Sequence, residues 1–519
     1  MKIKISIIAS SIAFLIGATS CADWLDVRPE GEILLPNFWQ TESDAQSVMA
    51  SCYRGMIEND YVERAFAWGE MRSDNVVEGN SASQSITDVL LQEIEPTHAY
   101  TKWTSFYNVI NMCNTFLVYA PDAQKRDENF TMESLHSMTA EVVAIRALSY
   151  FYLVRAFDKI PYITNASVDD TQNYLVPQSD PEVVMDSLIY DLNAVVRYAP
   201  RIYSNNQNTK GRITKNAIYA LLADIYLWKG DYQNCINACD NVLADPSLEL
   251  VEAKDYFTSV FYTGNSTETI FELQFNEKVQ KNATTSNLFG NSEKKGSLGF
   301  PSELYSTSNS PFKFAVGTSI EGADDYRKRD FISPSDGGLK FRIFKYAGVS
   351  RKDNPIGDEY TYRSNTSNWI VYRLADVILM KAEAVIQRDK KFSERKDASI
   401  QTALELVNRT YLRSNPQADS LKASFYPNYS DVENLILRER QRELMFEGKR
   451  YFDLVRTARR DSTTTRITSY ISITSASEKL MTNMATIESL YWPINKDELD
   501  VNTALKQNPF YKTSKSSLK

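Results

Sequence analysis

Two histidines, His98 and His136, are all the imidazole that this 519-residue chain possesses. Serine and cysteine nucleophiles usually need an adjacent base, most often histidine, and most zinc sites use one as a ligand. The sequence also has no Gly-x-Ser-x-Gly elbow, no phosphate-binding glycine loop and no His-Glu-x-x-His pair. Its 66 acidic residues permit a two-carboxylate glycosidase only in the weak sense that any such chain can offer a pair. What does gather is the material of a passive sugar site: flat rings for the C–H faces of a pyranose, with amides and carboxylates for its hydroxyls. Trp68, Arg72, Asp74 and Asn75 precede a polar loop, Gly79 to Gln84, and His98, Tyr100 and Trp103 follow it. A second group is Tyr305, Phe312 and Phe314 in the stretch 301–314. The expected glycan contacts are therefore Trp68, Asp74, Asn75, Tyr100, Trp103 and Tyr305. The competing reading is that these rings only pack the core, where large aromatics mostly lie. No catalytic residue, metal site or cofactor is expected.

These residues must be positioned by helices. Helical patterns run over Thr41–Glu58, Lys102–Tyr119, Met132–Phe157, Pro181–Tyr198, Lys215–Trp228 and Tyr232–Leu243. Others run over Trp369–Gln387, Ser399–Tyr411 and Val432–Arg456. Pro121, Pro161, Pro200 and Gly230 punctuate them. Between Ala217 and Leu243 the spacing fits a tetratricopeptide unit: Leu222-Ala223, then Tyr226, the turn Gly230-Asp231-Tyr232, then Cys235 and Cys239 facing the partner helix. Segments 140–151 and 374–384 read as degenerate copies. One such hairpin cannot bury its apolar face, so several must stack. Long polar tracts at 276–299, 302–357 and 461–489 read as loops, with Thr269–Phe275 a short strand.

The ends and the composition bound the compartment and the partners. Lys2 and Lys4, an apolar run from Ile5 to Ile16 and the small residues Gly17 to Ser20 describe an export leader too short to span a bilayer. Cys21 at its exit is the expected site of lipid attachment, which would hold the chain on a membrane. Cys52, Cys113, Cys235 and Cys239 are too few in so long an exported chain for a disulfide framework. A formal charge of −8 without a basic stripe argues against nucleic acid as a partner. Aromatic residues make up 12% of the chain, 30 of them tyrosine, which is more than a helical scaffold needs.

The stretch Leu437 to Arg456 reads Leu-Arg-Glu-Arg-Gln-Arg-Glu-Leu-Met-Phe-Glu-Gly-Lys-Arg-Tyr-Phe-Asp-Leu-Val-Arg. It closely resembles the ERxxELxFEGxRxFDLxR signature of SusD/RagB lipoproteins, carried here by Glu439, Arg440, Glu443, Glu447, Arg450, Asp453 and Arg456. Further segments resemble that family in the expected order: Cys21–Asp26, Gly211–Lys215, Tyr372–Asp376, Lys381–Ala384, Tyr491–Ile494 and Gln507–Tyr511. The signature charges also read as a structural ion-pair network: Glu439/Arg442, Arg440/Glu443, Glu447/Arg450 and Asp453/Arg456 at i, i+3, and Lys449/Asp453 at i, i+4. Arginines at that density depress carboxylate pKa values and spoil a general acid.

The resemblance implies a mainly α fold, tetratricopeptide-type helix hairpins packed with a loop-rich region carrying little β structure. It implies a signal peptide at 1–20, an N-terminal helical region at 21–270 and a C-terminal region at 271–519 with helices at 369–412 and 432–456. It further implies a lipid-anchored protein on the outer face of the outer membrane, capturing oligosaccharides for a SusC-like TonB-dependent transporter. The alternatives are peptide capture, as in the RagB branch, and a glycoside hydrolase.

Overall fold

The helical spacing carries through to the computed structural model of the protein, which is mainly α with little strand. It describes residues 38–513 apart from 169–171, 291–294, 306, 313, 317–318, 322–324, 334–340, 349–362, 391–396 and 476. The expected leader, Cys21 and the start of the mature chain lie outside the described residues.

Helix α1 (Glu42–Met56) opens on a capping box in which Thr41 and Asp44 satisfy each other's backbone amides. A short α2 (Asn59–Phe66) leads into a π-type turn, Ala67–Met71. Helix α3 (Thr104–Arg126) carries Pro121 within it, so the stop read near Tyr119 comes about two turns later. Helix α4 (Met132–Phe157) is long and apolar enough to cross a membrane, yet 89% of its most apolar window is buried in the protein. It is the central core helix. Helix α5 (Pro181–Val195) places proline in its first turn, where no N–H is needed. Helices α6 (Lys215–Lys229) and α7 (Tyr232–Leu243) form the tetratricopeptide hairpin. Gly230 between them has φ +79°, the left-handed conformation that closes α6, and Asp231 caps α7. Cys235 and Cys239 are fully buried free thiols on the packed face of α7.

Two expectations about the C-terminal part fail for local reasons. Trp369–Arg373 is not the start of a helix: it is strand β2, paired antiparallel with β1 (Thr269–Leu273), with Trp369 opposite Leu273 and Arg373 opposite Thr269. Its run of Trp, Ile, Val and Tyr is buried on both faces, as strand-forming residues between two layers should be. Helix α8 (Leu374–Lys390) follows directly, then α9 (Asp397–Ser414). The stretch Val432–Arg456 is two helices, α10 (Tyr429–Leu444) and α11 (Arg450–Asp461). Phe446 (φ +66°) and Gly448 (φ +72°) turn the chain between them. The Ser/Thr-rich tract after Asp461 also holds short helices, Thr465–Ile471 and Glu478–Asn483.

The helices pack in succession. Helix α3 lies against α1 and α4, α4 against α5, and α6 against α7; α8 bridges from α7 to α9 and α10. The break between α10 and α11 sits against the turn 67–71. A Cβ added at Gly69 would stand 1.9 Å from the carbonyl oxygen of Gly448, so the two backbones touch there. Glu70 fixes this junction by accepting the backbone N–H groups of Phe446, Lys449 and Arg450 and the side-chain amide of Asn75.

The signature charges are buried, and most pair across elements rather than along one helix. Glu439 meets Arg442 and Asp453 meets Arg456 as the spacing suggests. Arg440 instead binds Asp376 and Asp453, at 2.9 and 2.8 Å. Glu447 takes Lys345 and Arg373, Arg450 takes Asp74, and Lys449 takes Asp376. Glu443 is the hub, accepting from Arg327 at 2.8 Å, Arg373 at 2.7 Å, the Tyr256 hydroxyl at 2.8 Å and Arg413. The turn at 445–449 takes Glu447 out of helical register with Arg450, while Arg440, Glu443 and Lys449 are drawn to charges on other elements, Asp376 of α8 and Arg373 of β2. Burial would raise the Glu443 carboxyl pKa, but Arg413, Arg373 and Arg327 outweigh it and hold it well below the usual range.

Candidate ligand groove

Four residues of α3 and the position just before it, Trp103, Tyr107, Asn111 and Asn114, recur at steps of four, four and three and so share one helix face. That face meets an extended strap, residues 160–168. The Tyr107 hydroxyl donates to the carbonyl of Pro161 at 2.7 Å, and Asn114 donates to those of Ile163 and Asn165. Asn111 both donates to the Ser167 carbonyl and accepts its N–H. Tyr150 does the same at Ile163, at 2.6 and 2.8 Å. The strap's backbone is therefore satisfied by side chains that also fix its distance from the helix. A third wall comes from the C-terminal helix α12 (Lys496–Val501), which Asn495 ties down by donating to the Thr101 hydroxyl at 2.7 Å. Asn502 donates to the carbonyl of Val176 and closes the end.

The space between these walls is a cavity of about 330 Å³, within the size range of small-molecule sites. Its base is apolar: Trp103, Tyr107, Ile110 and Pro161. Tyr174 stands at the mouth with half its surface exposed, and Val501 is 75% exposed beside it. Thr104, Asn108 and Glu498 form a polar rim, and Asn108 is exposed with its amide uncommitted among the described residues. Glu498 is the one charged lining residue among the described residues. An aromatic base with an amide and a carboxylate at the edge can stack one face of a sugar ring while taking its hydroxyls as donors and acceptors.

The structure separates the residues that the sequence grouped. Trp103 lies at the floor of the groove but is only 3% exposed, held by Phe157 and Tyr107 at ring distances of 5.2 and 5.5 Å. Trp68 is fully buried behind it, donating its indole N–H to the carbonyl of Tyr100 and packing on Phe106. Asp74 and Asn75 are also buried: Asp74 binds Arg450, and both accept from Gln441. Tyr100 is 7% exposed and donates its hydroxyl to Glu63. Trp68, Asp74 and Asn75 thus hold the interior together and present no surface to a ligand. Tyr305 is half-buried and stacks on Phe341 at 3.8 Å, with the Lys328 ammonium 4.3 Å from its ring, away from the groove. Phe312 is buried. The polar loop 79–84 is largely exposed and is pinned at Gly79 and Ser81 to the backbone at 296–297.

Tyr107, Asn108 and Tyr174 were not singled out from the sequence, and neither were Glu498 and Asn502. The Trp-Tyr-Asn-Asn spacing of α3 was a usable signal for Tyr107, Asn111 and Asn114. Tyr174 and the C-terminal residues join only through the fold.

His98 does touch a serine: its Nε2 lies 2.8 Å from the Ser85 hydroxyl and 2.9 Å from the Ser85 carbonyl oxygen. Its Nδ1 accepts the N–H of Tyr100, so the ring proton sits on Nε2 and is donated toward Ser85. In that tautomer the ring cannot take a proton from the hydroxyl.

Comparison with known proteins gives a consistent result. Residues 340–511 match a family model described as "SusD family", and residues 23–227 match one described as "Starch-binding associating with outer membrane". SusD-like protein P38 of Formosa agariphila is 25% identical over 493 residues, covering 86% of this chain and 91% of that one. A SusD-like protein of Bacteroides ovatus is 24% identical, covering 88% and 82%. Among solved structures, a SusD superfamily protein from Bacteroides vulgatus aligns with a TM-score of 0.72 at 19% identity, covering 91% of this chain and all of that one. A laminarin-binding SusD-like protein aligns with a TM-score of 0.65 at 22% identity, covering 91% and 99%.

Proposed function

The chain belongs to the SusD family, and from that premise we propose that it captures oligosaccharides at the cell surface without altering them and hands them to a SusC-like TonB-dependent transporter. The observation that carries this reading is the groove over α3: an exposed Tyr174, the half-buried ring of Tyr107 and a rim of Asn108 and Glu498. In the same proposal residues 1–20 are a signal peptide, and Cys21 carries the lipid that holds the protein on the outer membrane, facing outward. The match to a starch-binding family and the structural likeness to a laminarin-binding SusD-like protein support a glycan as the ligand. Two features support binding rather than turnover. Ser85 faces a histidine in the donating tautomer, and the signature carboxylates Glu443 and Glu447 are buried among cations that keep them ionised.

The test is affinity electrophoresis of the mature protein in gels containing single polysaccharides, with chromatography of each polysaccharide after incubation. Retarded migration with unchanged polysaccharide is the expected result. Shortened products would replace capture by hydrolysis, and retention by peptides alone would replace the glycan.

A further inference from the structure

Successive residues of the strap point to opposite sides. Pro161 and Ile163 line the groove just described, whereas Tyr162 and Thr164 line a second cavity, of about 620 Å³, against α5. Three features mark that second cavity as built. Tyr190 projects from α5 with 76% of its surface exposed, a ring left in water beside the half-buried ring of Tyr162. Arg146 reaches it with only 9% of its side chain exposed and is fixed there by Asp191 at 2.9 Å and by Asn114 at 2.9 Å. Asn114 lines the first groove, so one side-chain relay braces both cavities across the strap.

We propose that the cleft beside Tyr190 is a second carbohydrate site, taking an uncharged pyranose. Tyr190 and Tyr162 supply ring surface. The Arg146–Asp191 pair sets a donor and an acceptor side by side, the arrangement that two adjacent sugar hydroxyls satisfy, and the exposed Thr164 adds a hydroxyl. Charge selects the class of sugar. Arg146 is already matched by Asp191, and Asp186 by Lys229 at 2.7 Å, so a uronate or sulfate group would have to break an ion pair to bind. Among the described residues the first groove carries Glu498 as its one charge, which repels anions. Two weak sites either side of one strap hold a polymer that spans both more tightly than either alone, because the second contact is intramolecular once the first has formed. This inference rests on the chain being a glycan binder, and its own residues can fail separately.

The test compares Tyr190→Ala, Tyr174→Ala and the double variant with the parent protein in gels of starch, laminarin and other uncharged polysaccharides. Polygalacturonate and a sulfated galactan serve as anionic controls. Both tyrosines are at least half exposed, so melting temperatures should stay within a few degrees of the parent. Retardation by an uncharged polysaccharide, weakened about two- to tenfold by Tyr190→Ala and further by the double change, is the expected result. Full retention by Tyr190→Ala alongside loss in Tyr174→Ala overturns the second site and leaves the first groove standing. Loss in Tyr190→Ala alone keeps the second site and overturns the first. Retention only by the anionic polymers, or by none, overturns both.

Discussion

Glu443 carries the largest burden of any single side chain. Three arginines and a tyrosine hydroxyl converge on its carboxylate in a region with no solvent. Removing one partner of a buried pair leaves charge uncompensated, at a cost of about 3–5 kcal/mol. Glu443→Ala is expected to lose at least that much stability in denaturant titration, while a surface control such as Glu478→Ala changes little. Glu70 makes the opposite argument. Burial raises its carboxyl to about 7, against the hydrogen bonds from Asn75 and three backbone amides that lower it. A carboxyl with a raised folded pKa binds more protons folded than unfolded. Its effect is therefore level below about pH 4.5, costs stability as pH rises from there to about 7, and is level again above. Glu70→Gln keeps an acceptor for the amides and removes the charge. Its stability relative to the parent should rise by about 3 kcal/mol between pH 4.5 and 7.5. A difference that does not change with pH would show that folding does not raise the pKa of Glu70. The signature residues were legible in the sequence as a network, but their partners were not: Asp74, Arg327, Lys345 and Arg373 lie 60 or more positions away.

The helices with a strong 3.6-residue pattern were read with their ends nearly right, α4 and α7 at both ends. Errors occurred where burial on all sides erased the pattern. Trp369–Tyr372 is apolar throughout and, through Arg373, continues directly into α8, so nothing local marks the change from strand to helix. The break between α10 and α11 was hidden because Met445 and Phe446 keep the apolar spacing, and only Gly448 hinted at a turn. That turn depends on contact between Gly69 and Gly448. Gly69→Ala would force its methyl into a backbone carbonyl that cannot swing aside. The expected loss is about 2 kcal/mol or more, measured by thermal melting, and should exceed that of Gly211→Ala, whose added methyl meets only the movable Gln274 side chain. Equal losses would mean that the junction yields readily.

For the molecule as a whole, the sequence supports the family and the stacked hairpins, because both rest on local spacing. The ligand groove was half legible. Trp103 was picked out together with Trp68, Asp74 and Asn75, which share its segment but are turned into the interior by the π-type turn at 67–71. Tyr174 and Glu498 reach the same cavity from positions about 70 and 395 residues further along, a convergence that only folding produces. The groove depends on a rigid frame of strap, α3 and α12, so a ligand should find it preformed. Calorimetric titration of the mature protein with the uncharged oligosaccharide that retards it, run beside Tyr174→Ala and followed by chromatography of the recovered sugar, tests this account most directly. It predicts saturable binding, weakened up to about tenfold by the substitution, with the sugar recovered intact. Binding indifferent to Tyr174, or a shortened sugar, would contradict it.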